Sequence, residues 1–404
     1  MLLGGMMVGK IDIAHLLGRW QNVGNFIHTI KLVLRYLADR LRYARGTRLV
    51  MGNALVGRLY YSLKKNGVPI HFGTALTQLV KLEGRVAGAE FKTKEGTLRV
   101  RAQRGVVLAT GGFAHNQEMR RAYMPRPDPI YSMAITENTG DGIQVGKRTG
   151  AVLNPPMHGQ GGLWTPVSRV VRKDGTEGLY PHIILDRAKP GLIAVNAEGR
   201  RFVNEAVSYH DFVEGMFRAH KTSPSIPCHL ICDAQFIRKY GLGIIHPGTT
   251  DLGRFERNGY VRIAPTLKSL ASAINTDAEV LTETILRQNG FAVEGSDPDF
   301  GKGDTELNRF NGDPDHRPNP CLGPIETEPF VALEVWPAEL ACSTGLVTDA
   351  DARVLDDNSS PIPGLYACGN DMDSIMAGTY PGPGTTLGPA LVFAHLAAKH
   401  AAKQ

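Results

Sequence analysis

The sequence predicts an α/β fold with an inserted α+β domain, and three stretches carry that expectation. Arg104 to Asn116 reads as a buried apolar strand that stops at the paired glycines Gly111 and Gly112. In open α/β sheets the carboxyl end of such a strand borders the ligand crevice. Gly378 to His400 is a glycine/proline loop running straight into a helix, and the stretch 165–340 between these two features turns irregular, with short strands and loops.

The amino-terminal part reads as helical. From 12 to 45, Ile13, Leu16, Leu17, Phe26, Ile30, Leu32, Val33, Tyr36, Leu37 and Leu41 recur on a stripe between basic residues, and a further helix from Asn53 to Asn66 ends at Gly67. Strands are expected next at Pro69 to Phe72, Leu76 to Leu82, Val86 to Lys92 and Leu98 to Ala102, turning at Glu83-Gly84 and Glu95-Gly96. Further on, Gly191 to Glu205 reads as a hairpin turning at Asn196 to Gly199, and Asp277 to Asn289 as a helix.

Composition narrows the function. With 404 residues, 42% of them hydrophobic and 21% charged, the chain has room for two domains. Five cysteines without a C-x-x-C pair argue for reduced thiols and against a disulfide framework or a zinc site, and Cys228 and Cys232 read as core residues of a strand. No metal site is expected. The dense basic patch from Arg35 to Arg48 reads as the polar face of a helix, so no nucleic-acid partner is expected, while contact with a membrane surface stays open. An opening without a basic region ahead of its apolar run points away from a secretory leader and toward the cytoplasm.

The carboxyl-terminal loop suits a flat ligand. Gly382 and Gly384 let the backbone come close, and Pro381 and Pro383 stiffen it. Thr386 is placed as an N-cap, with Leu387, Leu391, Phe393, Leu396 and Ala397 forming the apolar face of the helix. The first-turn amides carry partial positive charge, which fits an anion or an electron-rich carbonyl.

Ile362 to Asn370, followed by Tyr380-Pro-Gly-Pro-Gly-Thr-Thr-Leu387, resembles the carboxyl-terminal flavin-binding segment of the fumarate reductase / 3-ketosteroid Δ1-dehydrogenase flavoprotein family. Ala109 to Gly112 and Asn138 to Ile143 resemble two further flavin segments of that family, in the right order. The resemblance implies FAD as cofactor. Ala109, Thr110 and Gly111 would lie along its pyrophosphate, with Gly112 in the same cofactor-binding segment, Asp141 near the flavin, and the Leu76 backbone at the adenine, while Gly369, Asn370, Thr386 and Leu387 would belong to the carboxyl-terminal flavin segment. It also implies a division into an FAD-binding domain over 1–164 and 341–404 and a substrate-binding cap over 165–340.

No Gly-x-Gly-x-x-Gly occurs in the chain. A dinucleotide-binding domain of this type opens on that turn, whose amides hold the pyrophosphate. The expectation is therefore an incomplete Rossmann-like FAD domain in an amino-terminally truncated chain, matching the later two thirds of a typical family member.

Within the family the substrate-side residues separate two branches. Fumarate reductases carry an arginine proton donor shortly after Val-Asn-Glu, where this chain has Tyr209, and no arginine follows Arg353. Arginine is the bidentate partner of a carboxylate, so a neutral ketone is the better expectation. Tyr209 together with Tyr380 and Gly384 resembles the 3-ketosteroid dehydrogenase branch. That likeness implies that Tyr209 removes an α-proton while the Tyr380 hydroxyl and Gly384 N–H hold the ketone oxygen of a hydrophobic, steroid-like substrate. His210, taken as a strand neighbour of Tyr209, is expected to point elsewhere. A flavin-dependent enoate reductase and an FAD-free inactive fragment or partner-binding subunit are the alternative readings, and the sequence names no electron acceptor.

Overall fold

The computed structural model describes residues 5–124, 131–156, 161–172 and 174–404. The first four residues, on which part of the no-leader expectation rests, lie outside that range. Two compact units emerge, Met1–Thr74 and Ala75–Gln404.

The first unit is helical: Lys10–Leu17, Val23–Arg40 and Met51–Lys65. Asn22 interrupts the expected long helix by capping the second one, its side chain accepting from Asn25 N–H at 2.8 Å. Met6, Leu32 and Tyr36 form a small core with Val8 and Leu16. The expected strand at Pro69 to Phe72 is absent; that stretch is irregular.

The second unit opens with an antiparallel meander, Ala75–Leu82, Arg85–Thr93 and Gly96–Arg101, as the turn residues foretold. The strand Val106–Leu108 is shorter than expected and lies parallel to Pro361–Ala367, with Leu108 opposite Ala367. This pairing aligns the two carboxyl ends, so Ala109 to Gly112 and Gly369 to Asn370 leave the sheet side by side. That parallel register is what assembles the candidate cofactor segments.

A seven-stranded sheet is built around Phe330–Cys342, which is flanked by Gly162–Val171 and Cys228–Asp233. Cys228 and Cys232 are buried in the latter strand, as expected of core thiols. The expected domain boundaries, 164/165 and 340/341, fall on neighbouring rungs of one antiparallel pair, where Trp164 faces Glu339 and Leu163 faces Ala341. The helix expected from Asp277 runs Ala278–Glu294, with the Asp277 side chain accepting from Glu279 and Val280 N–H. The main core gathers Leu108, Phe113, Ile143, Trp164, Phe212, Met216, Leu333 and Leu365, joining strands and helices of this unit.

Candidate active site

A buried carboxylate ties the glycine segment to the carboxyl-terminal one. Asp371 accepts from Thr110 N–H at 2.6 Å, from Thr110 Oγ1 at 2.8 Å and from Gly112 N–H at 3.0 Å. Thr110 Oγ1 accepts in turn from Gly142 N–H at 3.0 Å, bringing in the third segment. Burial pushes the Asp371 carboxyl above its usual range, against the pull of these donors. Gly111 and Gly112 adopt φ of +97° and +82°, and a Cβ on Gly111 would stand 2.6 Å from Asn138 Oδ1. Asn370 Nδ2 reaches Gly111 O at 3.5 Å. Asp371 was missed in the sequence because its role depends on a partner about 260 residues away; only its place beside Asn370 hinted at it.

Asp141 starts the helix Asp141–Arg148 and accepts from Thr139 Oγ1 at 2.8 Å. Ala109 is exposed beside Thr110. Leu76 lies in the meander strand facing Phe91 and is half-buried against the core. That strand meets the Asp141 helix through Arg148 Nη2 and Thr77 O, 2.9 Å apart, and Leu76 itself makes no bond to the Asp371 cluster.

The helix Leu387–Ala401 starts at Thr386, but without the expected side-chain cap: Thr386 is in the αR region and its hydroxyl caps nothing. Gly388 N–H turns back to Gly384 O at 2.7 Å, and Thr385 Oγ1 donates to Gly382 O. Among the described residues the N–H groups of Gly384, Thr386 and Leu387 find no acceptor. These donors stand at the start of a 15-residue helix, where partial positive charge gathers. Leu163, Gly369, Asn370, Ser374, Thr385 and Thr386 line one cleft there.

Leu163 also packs against Tyr209, Ala341 and Tyr380, with Ile183 and Leu340 at the margin. The Tyr209 and Tyr380 rings lie 5.1 Å apart at 57°, so the two expected catalytic phenols meet in an apolar enclosure. Tyr209 is the first residue of the helix Tyr209–His220, whose N-cap Ser208 accepts from Asp211 N–H at 3.1 Å. Burial pushes the Tyr209 phenol far above its ordinary range, and its hydrogen bond with Tyr380 adds to that. Arg187 acts in the opposite direction.

The placing of His210 corrects the sequence reading. A helix in place of a strand turns His210 onto Tyr380, with centroids 6.0 Å apart and planes at 27°. Its Nδ1 accepts from Trp164 N–H at 3.2 Å, and it also bonds the backbone of Gly378. Burial drives the imidazole below its usual value, favouring the neutral form. His210 therefore links the central sheet to the loop that carries Tyr380. The signal in the sequence was Ser208-x-x-Asp211, a helix start.

Arg187, unremarked in the sequence, is a buried guanidinium solvated by main chain. Its Nε donates to His182 O at 2.7 Å, Nη1 to Glu205 O at 2.7 Å, and Nη2 to Ile183 O at 3.2 Å. Both Nη1 and Nη2 also reach Val207 O. Burial lowers its pKa to about 10, which still leaves it charged at neutral pH. With its donors committed to carbonyls, Arg187 has none left to clamp a dicarboxylate.

A sequence family described as "FAD binding domain" matches residues 10–387. The chain is 37% identical over 375 residues to a 3-oxosteroid 1-dehydrogenase of Mycobacterium tuberculosis, covering 89% of this chain and 65% of that protein. It is 36% identical over 389 residues to a 4-oxocyclohex-2-ene-1-carboxylate 5-dehydrogenase of Sinomonas cyclohexanicum, covering 95% and 65%. The chain thus spans just under two thirds of the length of these curated relatives. A crystal structure of 3-ketosteroid delta1-dehydrogenase from Sterolibacterium denitrificans, in complex with 1,4-androstadiene-3,17-dione, superposes with a TM-score of 0.89 at 34% identity, over 100% of this chain and 73% of that one. From an uncapped helix start, a glycine pair locked to a buried aspartate and a family match across nearly all its length, the chain belongs to the FAD binding domain family.

Proposed function

We propose that this chain carries the substrate and flavin face of an FAD-dependent dehydrogenase that removes an α-proton and a β-hydride from a cyclic ketone, in the manner named for its 3-oxosteroid 1-dehydrogenase relatives. The single observation that carries the reading is the meeting of Tyr209 and Tyr380 at 5.1 Å in an apolar enclosure beside the open helix start.

The residues present fit the cofactor. A Cβ on Gly382 or Gly384 would meet no atom within 4 Å, leaving open space for a flat ring, and the free amides of Thr386 and Leu387 suit an electron-rich carbonyl edge. Gly369, Asn370 and Asp141 belong to the same holding set, with Ala109 to Gly112 along the phosphates and Leu76 toward the adenine. When bound, FAD supplies the acceptor for the two electrons that leave with the β-hydrogen.

The chain's own residues handle the proton. The Tyr380 hydroxyl and the Gly384 N–H together polarise a ketone oxygen and stabilise the negative charge that develops there as the α-carbon loses its proton. Tyr209 takes that proton. The aliphatic side chains of Leu163, Ile183 and Leu340 suit a hydrocarbon ring, and a carboxylate would find no free guanidinium in Arg187.

The division into an FAD-binding domain over 1–164 and 341–404 and a cap over 165–340, a cytoplasmic location, and contact with a membrane surface belong to the same proposal. Among the described residues no helix is long and apolar enough to cross a membrane.

The test is anaerobic dye reduction by the FAD-reconstituted protein. Turnover with 4-androstene-3,17-dione and none with succinate supports the reading; the reverse preference makes the chain an enoate-type enzyme. A protein that takes up no flavin sinks both.

A further inference from the structure

Four buried side chains form a hydrogen-bonded chain that the proposed proton step does not use. Ser168 and His182 have no exposed surface, and Asp186 and Tyr260 are buried with them. Ser168 lies in the strand Gly162–Val171 opposite Tyr180, and His182 continues that antiparallel pair through its N–H to Pro166 O at 2.9 Å. His182 also precedes Ile183, which sits at the margin of the tyrosine enclosure.

His182 Nδ1 stands 2.6 Å from Asp186 Oδ2 and its Nε2 2.9 Å from Ser168 Oγ, while Ser168 Oγ and the Tyr260 hydroxyl are 2.9 Å apart. Ile244 N–H donates to the Tyr260 hydroxyl at 3.1 Å and Gly243 N–H to Asp186 Oδ2 at 3.2 Å, so adjacent amides close the chain into a ring. Burial raises the Asp186 carboxyl, but His182, Arg187 and the Gly243 amide outweigh it and hold the group below its usual range. An ionised carboxylate only accepts, so Nδ1 carries a proton. With a neutral imidazole, Nε2 then accepts from Ser168, and Ser168 accepts from Tyr260.

Ser168, His182 and Asp186 have the order of a hydrolase triad, yet a serine hydroxyl without exposed surface meets no ester. What the ring does hold is the turn 182–187, from which Arg187 hangs. Asp186 Oδ1 accepts from Arg187 N–H at 2.9 Å, and the guanidinium donates to His182 O and Ile183 O. The same guanidinium reaches Glu205 O and Val207 O, just ahead of Tyr209, and lies 4.9 Å over the Phe212 ring of the Tyr209 helix.

We infer that Ser168, His182, Asp186 and Tyr260 are positioning residues for the proton step: their ring locks the turn 182–187 and so seats Arg187 against the first turn of the helix that carries Tyr209. The inference rests on the role proposed for Tyr209. Apolar side chains of similar volume would fill this space without the desolvation cost, whereas a fully paired polar ring admits one geometry. Arg187 needs that one geometry, because the field of a buried cation changes steeply with its distance from the phenol.

The test uses the FAD-reconstituted full chain with Ser168→Ala and Tyr260→Phe, neither of which removes a partner of Arg187. Hydrogen exchange of the Arg187 Nε–H, followed in isotope-labelled protein and assigned by its loss in Arg187→Gln, should quicken about tenfold or more in each variant. In each variant kcat for 4-androstene-3,17-dione should fall about fivefold or more, but less than about twofold when the same change is made in Arg187→Gln, where the positioned group is already gone. Circular dichroism checks folding, and Ser168→Ala carries both readouts if Tyr260→Phe disturbs the core. Unchanged exchange in the variants overturns the inference, and so does an equal fall of kcat in both backgrounds, which loss of packing alone would give. A wild type that turns over no ketone, with exchange still quickened in the variants, overturns the proposed function and keeps the seating of Arg187.

Discussion

Tyr209 and Tyr380, from a helix start in mid-chain and a loop near the carboxyl terminus, hold their rings 5.1 Å apart with His210 stacked against the second of them. The pair shares one enclosure, so the two phenols are expected to act as a unit on one substrate atom and its neighbour.

On the proposed mechanism Tyr209→Phe removes the base, and Tyr380→Phe removes one of two donors to the ketone. Each is expected to lower kcat by about 100-fold or more, in line with single acid–base or oxyanion groups. Flavin content should stay unchanged, since neither hydroxyl is in the cofactor set. Stopped-flow reduction with matched flavin spectra checks both halves.

Arg187 opposes the rise that burial imposes on the Tyr209 phenol. Removing that cation makes the phenolate harder to form, so the rise of kcat/KM with pH should shift to higher pH. Arg187→Gln is expected to lower kcat/KM at pH 8 about tenfold or more and to displace the profile by at least one pH unit. Arg187→Lys keeps the charge and should keep the profile. Equal profiles in all three proteins would deny Arg187 this influence.

His210 makes a pH prediction for stability. Burial holds its folded pKa below the unfolded value of 6.5, so above that value it is neutral in both states and contributes no dependence. As pH falls below 6.5 the unfolded chain binds a proton that the fold resists, and stability drops until the folded pKa is reached. The difference in unfolding free energy between wild type and His210→Gln, measured by urea titration, should therefore be constant above pH 7 and change steadily from pH 6.5 to 5, at up to about 1.4 kcal/mol per pH unit.

Asp371 is the knot between the glycine segments. Asp371→Ala leaves the Thr110 and Gly112 amides without acceptors and is expected to cost about 3 kcal/mol and to weaken FAD binding. Gly111→Ala forces a side chain into positive φ against Asn138, with a cost on the order of 1–3 kcal/mol. Thermal unfolding and flavin titration measure both effects.

Much of this was legible in the chain. The meander followed from Glu83-Gly84 and Glu95-Gly96, and the core thiols from their strand. Tyr209, Tyr380 and Gly384 were singled out by family resemblance alone, and the structure brings the first two rings together. What escaped reading depends on contacts the sequence does not order. The cap expected of Thr386 failed because Gly384 O satisfies the Gly388 amide first. His210 was set aside because period-two alternation was assumed where Ser208 in fact opens a helix. Arg187 and Asp371 gain meaning only from carbonyls and amides delivered by distant strands.

The rung that pairs Trp164 with Glu339 has a practical corollary. At that point the polypeptide departs into 165–340 and returns beside its own track, so both junctions share one short ladder. On the proposed division, two splices there would exchange the whole intervening stretch as a cassette and carry the proposed substrate side with it, leaving Leu163 and Ala341 to rejoin the graft.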